Sequence, residues 1–214
     1  MIDNKLFLTY QSSLLSGSRS GCTQIVNGLI KSEISIKELY INLFQRSMYE
    51  VGTLWEQNKI SVATEHLCTS VTEYLISLCY PSIFSAEHTG KKAIITCTPG
   101  EYHQIGARMV ADYFELHGWD GYYLGADTPA DELIKFTTEK LPDLMAISIS
   151  VSFNHANLLR LVDKIRHTFP DLTILVGGQG FRWGGDEAFQ SLENIYLIRS
   201  LDELETKFLN PQAT

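Results

Sequence analysis

The spacing of the apolar residues changes near residue 86. Before this point, apolar residues recur every three or four positions, which is the spacing of amphipathic helices. After it, short apolar runs alternate with helical stretches, an order typical of a parallel sheet with helices on both faces. The sequence therefore predicts two parts, joined by a polar linker at residues 85–90.

The first part, residues 1–85, is predicted to be a four-helix bundle. Its third helix is expected over residues 36–55, where Leu39, Leu43 and Val51 share one face. Ser61 precedes the fourth apolar stretch and has the side chain of an N-cap. Because the loops between these stretches are short, the helices are expected to pack antiparallel.

The second part, residues 91–214, is predicted to be a flavodoxin-like, Rossmann-type domain with a five-stranded parallel sheet. Ligands of such sheets bind at the carboxyl ends of the strands. The expected strands are residues 92–98, 122–124, 144–150, 172–176 and 195–198. The helices between and after them are expected over residues 106–117, 131–139, 154–167 and 200–209.

Charge and hydropathy exclude several classes of function. The net charge is −8, and the longest cluster of basic residues is the pair Lys91-Lys92, so direct nucleic-acid binding is not expected. No apolar run is long enough to span a membrane. Asp3 and Asn4 stand where a signal peptide would carry positive charge. We therefore expect a soluble, cytoplasmic protein.

The loop after the first predicted strand contains Glu101, His103 and Gly106. A neutral imidazole is a good ligand for cobalt and other borderline metals. A carboxylate two residues earlier can accept the proton of the other ring nitrogen, which fixes the tautomer. Gly106 leaves room for a bulky group beside the backbone. The same residues are also compatible with a solvated histidine at a helix end, and their spacing alone does not distinguish the two.

Two further loops are expected at the same edge of the sheet. One follows Ser148, and the other contains Gly177 and Gly178. The glycines are compatible with a tight turn, or with a slot for a long ligand tail. Ser148 can hydrogen-bond such a tail or a nearby backbone group.

The second part resembles the cobalamin-binding domain of methionine synthase, corrinoid methyl carriers and adenosylcobalamin mutases. The resemblance lies in Glu101, His103, Gly106, Ser148 and the pair Gly177-Gly178. It implies that His103 ligates cobalt from below, and that the benzimidazole tail of the cofactor inserts beside Ser148 and the glycines. Glu101 stands where the family usually has Asp, and Ser150 where it usually has Leu, so the lining of the tail pocket is expected to differ.

The first part resembles the cap of the CarH and LitR light-sensing regulators and of stand-alone relatives such as AerR. The resemblance lies in Trp55, followed nine residues later by Glu65-His66. It implies a flat wall above the corrin from Trp55, hydrogen bonds from Glu65 to a ribose, and His66 as the upper axial ligand after light. A packed tryptophan and a Glu-His pair at a helix start would give the same spacing. The segment at residues 124–129 is also similar to that group.

These resemblances imply a sensor rather than an enzyme. The expected cofactor is adenosylcobalamin, with the methyl and hydroxo forms as alternatives. The expected output is an altered conformation or assembly after light, passed to a regulatory protein partner or through self-association. The main alternative is a corrinoid methyl-carrier protein that serves a methyltransferase, and a plain cobalamin-storage module is a third.

Overall fold

The computed structural model describes residues 2–190 and 192–210. The chain divides into two compact units, residues 1–85 and 86–214. The first unit is helical, and the second is built on a parallel sheet. The predicted fold class is therefore confirmed.

The helical unit contains four long helical stretches. The third starts as α3, passes through a π-helical segment and continues as α4, which the apolar spacing did not predict. The bounds are α1 (Asn4–Leu15), α2 (Arg19–Lys31), α3 (Ile36–Leu39), the π segment (Tyr40–Gln45), α4 (Arg46–Glu56), α5 (Val62–Ser77) and a short α6 (Tyr80–Ile83). Ser61 caps α5 by accepting a hydrogen bond from the Thr64 backbone N–H at 3.1 Å.

The second unit contains a five-stranded, wholly parallel sheet in the order β2-β1-β3-β4-β5. The strands are β1 (Lys92–Cys97), β2 (Asp120–Gly125), β3 (Leu144–Ser148), β4 (Thr173–Gly177) and β5 (Ile195–Ile198). The α-helices are α7 (Ile105–Leu116), α8 (Ala130–Lys140), α9 (His155–Thr168), α10 (Glu187–Gln190) and α11 (Leu201–Leu204). This is the flavodoxin-like order, in which the chain changes direction across the sheet between β1 and β3.

Apolar residues of the central strands are buried on both faces of the sheet, as doubly wound folds require. Side chains alternate along β1: Ile94 packs into the cluster that contains Leu158 of α9, and Ile95 packs into the cluster that contains Phe114 of α7. The strand register aligns Cys97, Ser148 and Gly177. The loops that follow β1, β3 and β4 therefore emerge side by side.

The polar linker at residues 85–90 is partly held by the second unit. Thr89 donates to the Gly118 carbonyl from its backbone N–H at 2.7 Å and from its hydroxyl at 3.0 Å. His88 Nδ1 lies 2.6 Å from Asp120 Oδ1. Among the described residues, no helix is both long enough and apolar enough to cross a membrane.

Candidate functional site

Glu101 lies in the loop after β1, and its carboxylate is fully buried. Its Oε1 accepts hydrogen bonds from the His103 backbone N–H at 3.0 Å and from His103 Nδ1 at 2.6 Å. Its Oε2 accepts from the backbone N–H groups of Ser150 at 2.8 Å and Val151 at 3.1 Å, and from Asn154 Nδ2 at 3.1 Å. One carboxylate thus ties the loop after β1 to the loop after β3.

These contacts settle the charge of Glu101 and the tautomer of His103. Burial raises the pKa of Glu101, but the hydrogen bonds from His103, Ser150 and Asn154 outweigh it and lower the pKa to about 2. An ionised carboxylate only accepts, so His103 donates from Nδ1. In the neutral ring, Nε2 then carries the lone pair. The side chain is 58% exposed, which suits a metal ligand oriented by a carboxylate.

The depressed pKa of Glu101 predicts a pH-dependent contribution to stability. The ionised form is favoured in the folded state, so its stabilisation is present above the ordinary value of 4.5 and is lost as the pH falls towards 2. A shift of this size corresponds to about 3 kcal/mol. We expect Glu101→Gln to lower the free energy of unfolding by about that amount at neutral pH, and by progressively less between about pH 5 and pH 2. Urea unfolding of both proteins across this range measures it, and a difference that does not change with pH would contradict the assignment.

Ser148, Gly106 and Gly178 converge near the end of β3. A Cβ atom on Gly106 would lie 3.9 Å from Ser148 Oγ. Apart from the two neighbouring residues and the backbone of α7, no described heavy atom would lie closer. A Cβ atom on Gly178 would lie 3.0 Å from the same oxygen. The Thr98 hydroxyl, at the end of β1, is buried and has no hydrogen-bond partner among the described residues. The end of β3 thus offers backbone space beside the Ser148 hydroxyl, and the loop after β1 holds a buried hydroxyl without a partner among the described residues.

The close approach of neighbouring backbone atoms is enough to explain why Gly177 and Gly178 are glycine. A Cβ atom on Gly177 would lie 2.6 Å from the Ile198 carbonyl oxygen, and one on Gly178 would lie 2.1 Å from the Ile149 carbonyl oxygen. Gly178 also has a φ of +109°, which favours glycine. Contact of either glycine with a ligand tail stays a prediction.

Asn154 is a site residue that the sequence interpretation missed. It is buried, it donates to Glu101 Oε2, and it also lies 3.4 Å from the Gly100 carbonyl oxygen. In the sequence, only its position just before α9 could have drawn attention to Asn154. Asparagine at a helix start is common for capping, so this signal does not point to Glu101.

The residues predicted for the cap lie in the helical unit. Trp55 is near the end of α4 and is 46% exposed. Glu65 and His66 lie near the start of α5, with His66 Nε2 at 3.6 Å from Glu65 Oε2 and the His66 side chain 74% exposed. Glu65 also accepts a hydrogen bond from the Thr69 hydroxyl at 2.9 Å. Their roles towards a cofactor stay predictions.

The sheet order and the histidine loop beside its switch point place the second unit in the class of doubly wound, ligand-binding domains. Family comparison defines the ligand: one model of the B12 binding domain matches residues 91–198, and a second matches residues 8–80. The chain belongs to the B12-binding domain family, and cobalamin is its cofactor.

Among the proteins similar to this chain are two transcriptional repressors and a corrinoid protein of known structure. The HTH-type transcriptional repressors CarA and CarH of Myxococcus xanthus are 26% and 27% identical to it, over 58% and 62% of this chain. The matches cover 43% of CarA and 44% of CarH, so the chain spans less than half the length of these relatives. The monomethylamine corrinoid protein of Methanosarcina barkeri matches with a TM-score of 0.83 at 13% identity, over 99% of this chain and all of that one. The chain therefore carries a CarH-like B12-binding module in a corrinoid-protein fold.

The residues beside the switch point fit cobalamin. A corrin cobalt accepts an axial nitrogen, and because Glu101 holds Nδ1 of His103, coordination would use Nε2 of the ring. A tail beneath the ring needs backbone space and polar partners. Gly106 leaves backbone space beside the Ser148 hydroxyl, which suits such a tail.

Proposed function

We propose that this protein is a cobalamin-dependent light sensor. In this proposal His103 would ligate the cobalt, the tail of the cofactor would lie beside Ser148, Gly177 and Gly178, and the helical unit would contribute Trp55, Glu65 and His66. In its adenosyl form the cofactor supplies a cobalt–carbon bond that light breaks. The response is an altered conformation or assembly, passed to a partner protein or through self-association.

The observation that carries this proposal is a second histidine with a carboxylate neighbour, separate from the His103 pair. His66 is mostly exposed beside Glu65 on α5, and Trp55 is half exposed on α4. In the dark, Trp55 and Glu65 would hold the adenosyl group. After light, His66 would take the vacated axial position, a local ligand exchange that biases a two-state structure. The identity with CarA and CarH supports this interpretation.

The proposal is tested with purified protein and adenosylcobalamin added in the dark. We expect binding in the dark and, after green light, a stable change in the absorption spectrum together with a changed size-exclusion profile. A sample kept in the dark is the control. Binding without any lasting response to light would contradict the sensor and favour a corrinoid methyl carrier, which would instead accept a methyl group from a methyltransferase.

A further inference from the structure

A carboxylate in the loop after β2 contacts the loop that carries His103. This loop, residues 98–104, is called the lower-ligand loop below. Asp127 Oδ1 accepts a hydrogen bond from the Gly100 backbone N–H at 2.8 Å, and Asp127 Oδ2 accepts one from the Tyr102 hydroxyl at 3.3 Å. Gly100 and Tyr102 stand on either side of Glu101. Asp127 therefore holds the lower-ligand loop immediately before and after the carboxylate that orients His103.

Both residues at this contact have a positive φ, which is ordinary for Gly100 and uncommon for Asp127. Asp127 has a φ of +51° and Gly100 a φ of +81°. A residue other than glycine seldom adopts a positive φ, although Asp tolerates it better than most. Such conformations persist where the surrounding contacts determine them. Here the positive φ accompanies a side chain that accepts two hydrogen bonds from the neighbouring loop.

The opposite side of the lower-ligand loop is held by α9 and the residue before it. Asn157 Nδ2 donates to the Pro99 carbonyl oxygen at 3.0 Å, and Asn154 contacts Glu101 and Gly100. The sheet order explains this arrangement, because β1 lies between β2 and β3 and its loop meets the loops of both neighbours. Asp127 provides the contact from the β2 side.

We propose that Asp127 is a positioning residue for His103. It holds the lower-ligand loop in the ligating arrangement before the cofactor binds, so that less order has to be gained on binding. This inference rests on the proposed role of His103 as the lower ligand. Asp127 acts through Gly100 and Tyr102, with no contact to the cobalt required.

The test uses adenosylcobinamide in the dark, a corrinoid without the benzimidazole tail, so that any lower nitrogen ligand must come from the protein. In Asp127→Asn one acceptor oxygen becomes an N–H₂ donor of the same size. We expect the ratio of imidazole-ligated to unligated bound corrinoid to fall about fivefold, the effect of one hydrogen bond. Tyr102→Phe removes only the 3.3 Å contact and is expected to have a smaller effect.

The matched control is Asp131→Asn, which removes an exposed carboxylate of α8 that pairs with Lys164. It should leave the ligated ratio unchanged, and thermal unfolding of each cofactor-free variant separates stability from ligation. An Asp127→Asn protein with the wild-type ratio and affinity overturns the inference, even if it unfolds at lower temperature.

The His103→Ala variant separates this inference from the proposed role of His103. If the variant keeps an imidazole-ligated spectrum, the role of His103 is wrong. If it loses that spectrum while Asp127→Asn keeps the wild-type ratio, only the inference about Asp127 is wrong.

Discussion

The His103→Ala variant is expected to bind cobinamide without the absorption spectrum of an imidazole-ligated corrinoid, and to bind it about 100-fold more weakly than the wild type. Loss of a residue that merely orients a metal ligand already costs about 10- to 100-fold in affinity, so loss of the ligand itself should reach the upper end. The His103 side chain is 58% exposed, and without it Glu101 keeps two backbone donors and one amide donor from the loop after β3, so the fold should be retained at some cost in stability. Absorbance titration gives both the spectrum and the dissociation constant.

The matched control for this variant is His167→Ala. His167 lies in the last turn of α9 and is exposed. Its replacement should leave spectrum and affinity unchanged. Wild-type affinity and spectrum in the His103→Ala protein would mean that another group supplies the axial nitrogen, and the Glu101–His103 pair would then need a different explanation.

The His66→Ala variant is expected to bind adenosylcobalamin in the dark almost as well as the wild type, and to lose the stable product that forms after light. His66 is proposed to act only once the upper axial position is vacated, and its side chain is 74% exposed, so its removal should cost little stability. Absorption spectra and size-exclusion profiles before and after green light measure both effects. Collapse of dark binding, or a light product that persists, would show that the role proposed for His66 is wrong.

The orientation of His103 has a physical basis that separates it from an ordinary surface histidine. Its Nδ1 is bound by a carboxylate that also accepts two backbone N–H groups and one side-chain amide from the next loop. Rotating the ring away from this position would leave a buried, ionised oxygen with one fewer donor, which is costly. The imidazole is therefore held in place before any cofactor arrives.

The sequence interpretation found the site residues that lie close together along the chain or at strand ends. Glu101 and His103 are two residues apart, so their contact is local and can be expected from the sequence. Ser148 and Gly177 are expected at one edge because neighbouring parallel strands end at the same edge of a sheet, and the register confirms that they are aligned. For the glycines, the sequence is compatible with both a tight turn and a slot for a ligand tail. The structure shows close packing against the Ile149 and Ile198 carbonyl oxygens.

The contacts of Asp127 and Asn154 could not be predicted in this way. They join residues that are 27 and 53 positions apart, Gly100 with Asp127 and Glu101 with Asn154. Asp in a loop and Asn at a helix start are common choices for local capping and turn formation, so neither residue identifies its distant partner.

The sequence by itself determined the helical first unit, the alternating second unit and the position of His103, the proposed lower ligand, because hydrophobic periodicity and short motifs are local properties. Only the tertiary structure decided which loops surround that ligand. The strand order places β1 between β2 and β3, so the loop after β1 is held by Asp127 on one side and by Asn154 on the other. Strand order follows from how the whole sheet packs, and no single segment of the sequence encodes it.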